Sequence, residues 1–206
     1  MLDVLKKIFT VKRVTIALTI IVVLAIIAVP KYKRHIINSR NEAAQVVLQK
    51  ISLSQIHTCR ADCRDDTNAC CSFAFTDDVN ETMEEAILRL VDFGFSPDAS
   101  VAFHIMRPGI VEGVSPDSFI AFAAHNSVGS PVYVYDYVVG GNIKQALEDD
   151  VYSGVSINSV NSALFCYTYD PADTANPVKK KPRPIKFAPA PNEAYPARML
   201  VTVPAE

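Results

Sequence analysis

Tryptophan is absent from this chain, glycine occurs seven times and histidine four, and neither sign of charge dominates. Each shortage excludes something. Without Trp the usual indole anchor of a membrane interface is missing, and Tyr32 is the nearest aromatic substitute. A net charge of −2 over 206 residues argues against a general nucleic-acid binder. The few glycines form no phosphate-cradling loop, and Gly140-Gly141 is read as a turn. No serine sits in a nucleophile elbow. His104 and His125 fall in strand-like runs, where satisfied structural imidazoles are expected. Asp65, Asp66, Asp77 and Asp78 lack the spacing of a calcium loop. The reading is therefore non-enzymatic, with no cofactor, no metal, no small-molecule substrate and no nucleic-acid partner.

What the chain does have is one apolar run near its start. Residues 14–29 (VTIALTIIVVLAIIAV) carry no charge and no Gly. Thr15 and Thr19 are the only polar side chains there, and a helix absorbs both by bonding each hydroxyl to a carbonyl one turn back. Sixteen helical residues rise roughly 24 Å, somewhat less than a hydrocarbon core of about 30 Å. Phe9, Thr10 and Val11 extend the run if Lys12 and Arg13 snorkel. The expectation is a transmembrane or filament-core helix over 14–29, behind a basic cytoplasmic N-terminus over 1–13. A cleaved secretory signal fits poorly, because Ala28-Val29-Pro30-Lys31 offers no small-residue cleavage site.

Beyond Pro30, where a kink is expected, apolar residues at Tyr32, Ile36, Ile37, Ala43, Ala44, Val47, Leu48, Ile51 and Ile56 recur at spacings of three and four. That predicts an amphipathic continuation of the helix over 30–56. A capping box at Thr82 and Glu85 opens a second helix, with Gly94 as its stop. Strands are predicted over 101–106, 119–124, 131–139 and 164–169, with residues 143–151 read as a short helix or a loop. The PVYVYDYVV run puts Val and Tyr on opposite faces. Eight of thirteen prolines lie from Pro171 onward, so residues 171–206 are read as a Pro-rich tail, partly ordered on the head, with an edge strand near 199–203.

Cysteines supply the remaining chemistry. Cys59, Cys63, Cys70, Cys71 and Cys166 all follow the apolar run. The spacing of the first four matches neither a zinc ribbon nor a haem attachment site, so structural disulfides are the better reading, with connectivity open and one thiol left over. Four of the five lie in a loop that opens the head domain over 57–170.

The stretch AIIAVPKYKRHIINSRNEAA resembles the N-terminal helix of type IV pilins and pseudopilins, whose Ala-Ile-Ala-Ile-Pro-x-Tyr segment aligns with Pro30 and Tyr32. Phe9-Thr10 then falls on the Phe-Thr that starts a mature pilin. A weaker likeness continues through GFSPDASVAFHIM and FIAFAAHNSVGSPVYVYDY. Two positions depart from the family pattern. Ile8 stands where the prepilin peptidase expects Gly, and Arg13 replaces an acidic residue that would neutralise a free N-terminal amine. Together they lead to the expectation that the N-terminus is not processed in the family's usual way.

The resemblance implies an α+β fold. A long N-terminal transmembrane-plus-amphipathic helix would pack on a small antiparallel β-sheet head with a Pro-rich C-terminal tail. It implies a structural subunit of a pilus or pseudopilus filament, held in a bacterial inner membrane with its C-terminal domain periplasmic or extracellular. Assembly with copies of itself or other pilin-like subunits would run through Phe9, Arg13, Val14, Leu18, Ile21, Ala25, Pro30 and Tyr32, small and β-branched residues allowing close helix contact. The alternative is an uncleaved, single-pass anchored binding or scaffold subunit that does not polymerise.

Overall fold

The computed structural model describes residues 2–62, 73–76, 82–109, 118–127, 129–147, 150–182, 185–186 and 201–202. Side chains are described for these except at 2–15, 17, 60–62, 161, 185–186 and 201–202. Residues 1–39 and 40–206 form two compact units. Helix α1 covers Leu2–Asp62 and includes Pro30. It therefore runs six residues past the end read from the apolar spacing.

Among the described residues, no helix is long and apolar enough to cross a membrane. This corrects the transmembrane part of the expected architecture. The physical reason is length. The uncharged run stops at Arg13 on one side and Lys31 on the other, and its roughly 24 Å leaves charged residues inside a core of about 30 Å.

In the second unit the chain builds helix α2 (Met83–Asp92), strands β1 (Val101–Met106), β2 (Ile120–His125), β3 (Tyr133–Asp136), β4 (Ile143–Gln145), β5 (Val151–Tyr152) and β6 (Val155–Ser156), helix α3 (Ile157–Asn161), and strands β7 (Phe165–Tyr169), β8 (Val178–Pro182), β9 (Ile185–Lys186) and β10 (Val201–Thr202). Six strands form one sheet in the order β4-β3-β2-β1-β7-β8. Every adjacent pair in it is antiparallel. β9 pairs with β10, and β5 with β6. The second half of the expected architecture therefore stands: a long N-terminal helix together with an antiparallel sheet.

The sheet is covered on both faces, which explains why its strands read as nearly continuous apolar runs. On one face Val101, Phe103, Ile105, Phe119, Tyr133, Tyr135 and Tyr167 meet Ala44, Val47, Leu48 and Ile51 of α1 and Ala86, Ile87 and Leu90 of α2. On the other, Ala102, Ile120, Phe122, Val132, Val134 and Cys166 meet Tyr152 and Val155 of the β5–β6 hairpin, Ile157 and Val160 of α3, and Leu164. Val and Tyr of β3 do part to opposite faces, because successive side chains of a strand alternate.

Local chemistry sets the joints. Thr82 caps α2 by accepting from the Glu85 N–H, while the Glu85 carboxylate accepts from the Thr82 N–H at 2.8 Å. Gly94, at φ +90°, takes the chain out of that helix in a conformation side chains resist. The β5–β6 hairpin turns through Ser153 and Gly154, both at positive φ, the geometry of a two-residue hairpin that matches strand twist. Residues 143–151, read as helix or loop, instead contribute β4 and the start of this hairpin.

Candidate functional site

The residues expected to carry assembly lie on α1. Ile16, Leu18, Ile20, Ile21, Val22, Val23, Leu24, Ile26, Ile27 and Val29 are 49–67% exposed in the chain alone. At 100° per residue these ten positions reach every side of the helix, and Ala25 and Pro30 among them are exposed as well. Tyr32, 66% exposed, closes the apolar stretch. Phe9, Arg13 and Val14 belong to the same helix, but their side chains lie outside the described residues. A helix apolar all round has no face for water and is stable only when surrounded by other apolar matter.

From residue 40 onward α1 belongs to the head, and here polar side chains do work that spacing alone hid. Ser54, Gln55 and Thr58 continue the buried stripe of Val47, Leu48 and Ile51, whereas Ile56 is only half-buried. Gln55 donates from Nε2 to the Ala74 carbonyl at 2.6 Å and accepts the Ala74 N–H at 2.9 Å. That one amide satisfies both backbone groups of a residue otherwise outside any ladder. Ser54 Oγ donates to the carbonyls of Leu90 at 2.7 Å and Phe93 at 3.1 Å at the end of α2, where the Leu90 carbonyl also accepts the Phe95 N–H at 3.0 Å. Continuing the i, i+3, i+4 series regardless of polarity would have found these residues.

Cys59 is disulfide-bonded. Cys63, Cys70 and Cys71 lie outside the described residues, as do Asp65, Asp66, Asp77 and Asp78. Cys166 is a buried thiol and not half of a disulfide, which corrects its place among the disulfide candidates. Cys166 lies in the core on the hairpin side of the sheet, and Cys59, on α1, packs against the core of the other side. Among the described residues, no group of His, Cys, Asp and Glu is placed to hold a metal.

His104 is 7% exposed, with Nδ1 2.8 Å from Thr76 Oγ1. Burial, and then the nearby positive charge of Lys180, lower its pKa to about 4. His125 accepts the Ser127 N–H at Nδ1 (3.1 Å), a turn contact at the end of β2. His125 Nδ1 also lies 2.9 Å from the Ser127 hydroxyl.

A cup of about 460 Å³ lies beside β4, lined by Asp136, Val139, Lys144, Gln145, Asp150, Tyr152 and Ser153 among others. Asp136 is 2% exposed; its carboxylate accepts the Val138 N–H at 3.0 Å and the Ser153 hydroxyl at 2.7 Å. Asp150 accepts from the Leu147 N–H at 3.0 Å and from the Tyr152 hydroxyl. Burial first, and then the Asp150 contact, push the Tyr152 phenol well above its ordinary range. The Lys144 ammonium lies over the Tyr152 ring, 5.1 Å from its centroid. No sequence pattern pointed to this cup, which β3, β4, β5 and their connections build within the one stretch 136–153.

Comparison of the chain with protein-family profiles, with curated proteins and with solved structures gives no match.

Proposed function

We propose that this chain is a structural, non-enzymatic subunit that assembles into a filament of the pilin or pseudopilin kind through its N-terminal helix. One observation carries the reading: ten large apolar side chains between Ile16 and Val29 are exposed on all sides of α1. Burying each of them against neighbouring helices is worth about 1.5–3 kcal/mol relative to exposure, which is ample to drive association. Copies of the same helix are the natural surroundings, since the small and β-branched residues let backbones approach closely. The head would then ride on the outside of the bundle. The disulfide at Cys59 supports a location outside the reducing cytoplasm.

The test is electron microscopy of the full chain beside Ile21→Asp and Ala25→Asp. The expected outcome is fibres from the parent and none from either variant, with the near-ultraviolet circular dichroism of the head unchanged. A discrete small complex from the parent, in place of fibres, would favour a scaffold subunit that does not polymerise.

A further inference from the structure

The six-stranded sheet has two edges, and they differ in charge. At the β8 edge, Lys179, Lys180 and Lys181 follow one another along the strand. Lys179 is held by Asp173 at 3.0 Å, and the Lys180 ammonium sits 3.7 Å from the centre of the Phe165 ring. Lys181 is exposed and has no ion pair or ring contact among the described residues. At the opposite edge, beside β4, lies the cup, whose charged lining residues are the carboxylates of Asp136 and Asp150 and the ammonium of Lys144.

Register puts the two features on one face. Lys181 stands directly opposite Cys166, whose side chain belongs to the hairpin-side core, so Lys181 points to that side. Lys144 stands opposite Val134 in the same core, and Asp136 follows Val134 by two residues. Asp150 and Tyr152 come with the hairpin that covers this face. Five strand spacings, about 24 Å, separate the β8 edge from the β4 edge. A second head shifted sideways along the sheet therefore brings its lysine edge to the first head's acidic cup.

We propose that heads of neighbouring copies dock edge to edge, with Lys181 of one copy entering the Asp136–Asp150 cup of the next. The contact joins two different surfaces, so a docked pair still offers one free lysine edge and one free cup, and the contact repeats without closing. A carboxylate has lone pairs for more than the two donors Asp150 already serves, and the cup is large enough for a lysine end. The row of lysines also keeps the β8 edge from pairing as a strand, which leaves side-chain charge as its means of contact. This contact rests on the assembly reading above for its geometry of neighbours, but it is tested separately.

Full-length protein, half of it labelled with heavy nitrogen, is mixed before assembly and treated with a carbodiimide, which joins an amine to a carboxylate in direct contact. Mass spectrometry then looks for a Lys181–Asp150 peptide pair carrying one light and one heavy partner. The expected result is that mixed pair, its loss in Lys181→Glu, and recovery of self-association in Lys181→Glu combined with Asp150→Lys. The single reversal is expected to weaken head-to-head association on the order of tenfold. Fibres without the mixed pair would overturn the edge contact and leave the helix reading intact. Mixed pairs in particles that never become fibres would do the reverse. Monodisperse protein with no pair at any concentration would overturn both.

Discussion

At the scale of single residues, two buried polar groups decide whether the head holds. Gln55 satisfies both backbone groups of Ala74 with one amide, and replacing it strands a buried N–H and a buried carbonyl. Gln55→Ala should therefore cost about 1–3 kcal/mol in urea unfolding, far more than an exposed Gln49→Ala on the same helix. His104 gives a pH signature. Its folded pKa, about 4, lies below the ordinary 6.5 because burial and Lys180 disfavour the charged ring. Above pH 6.5 both states carry the neutral form. As pH falls below that, the unfolded chain takes up a proton the folded one refuses, and stability drops by about 1.4 kcal/mol per unit until the folded pKa is passed. Between about pH 7 and pH 5 the parent should lose about 2 kcal/mol more than His104→Gln, read from urea midpoints. Equal losses would contradict the burial account of this imidazole.

At the scale of elements, helix α2 has a start and a stop that the sequence spelled out. Thr82→Ala removes the hydroxyl that accepts the Glu85 N–H and should cost about 1 kcal/mol, with thermal unfolding as the check. The capping box, Gly94, β1 and the alternation of β3 were legible because each rests on local chemistry: a hydroxyl three residues before a carboxylate, a positive φ, a period of two. β2 was legible to within one residue for the same reason. What was not legible depended on distant partners. Residues 143–151 carry no strong local signal, and they become strands because β3 offers a ladder and Ser153-Gly154 permits a tight turn. The stripe on α1 was read only through its apolar residues and so missed Ser54, Gln55 and Thr58, whose buried polar atoms bond to α2, to Ala74 and to the helix's own Ser54 carbonyl. The lysine-rich segment after Pro177 was read as tail, yet part of it forms the outer strand of the sheet. Proline and lysine there agree with an edge position, where one row of backbone groups needs no partner.

At the scale of the whole molecule, the apolar stretch of α1 and the two-layered cover of the sheet have opposite relations to water. The head buries apolar residues on both faces of one sheet. The segment from Ile16 to Val29 buries none of its large side chains within the chain and is short for a bilayer. On the proposed reading copies of the same helix surround this stretch, and its exposure on every side leaves room for several of them. The lysine run was legible as a basic part of the tail, but the cup and the placing of the two at opposite edges were not, since only the sheet order sets them there. The central claim is that the apolar helix drives self-assembly, and electron microscopy of purified full-length protein beside Ile21→Asp tests it most directly. Fibres from the parent and their loss in the variant, with the head still folded, are the predicted result; fibres of equal number and length from both proteins would contradict the account.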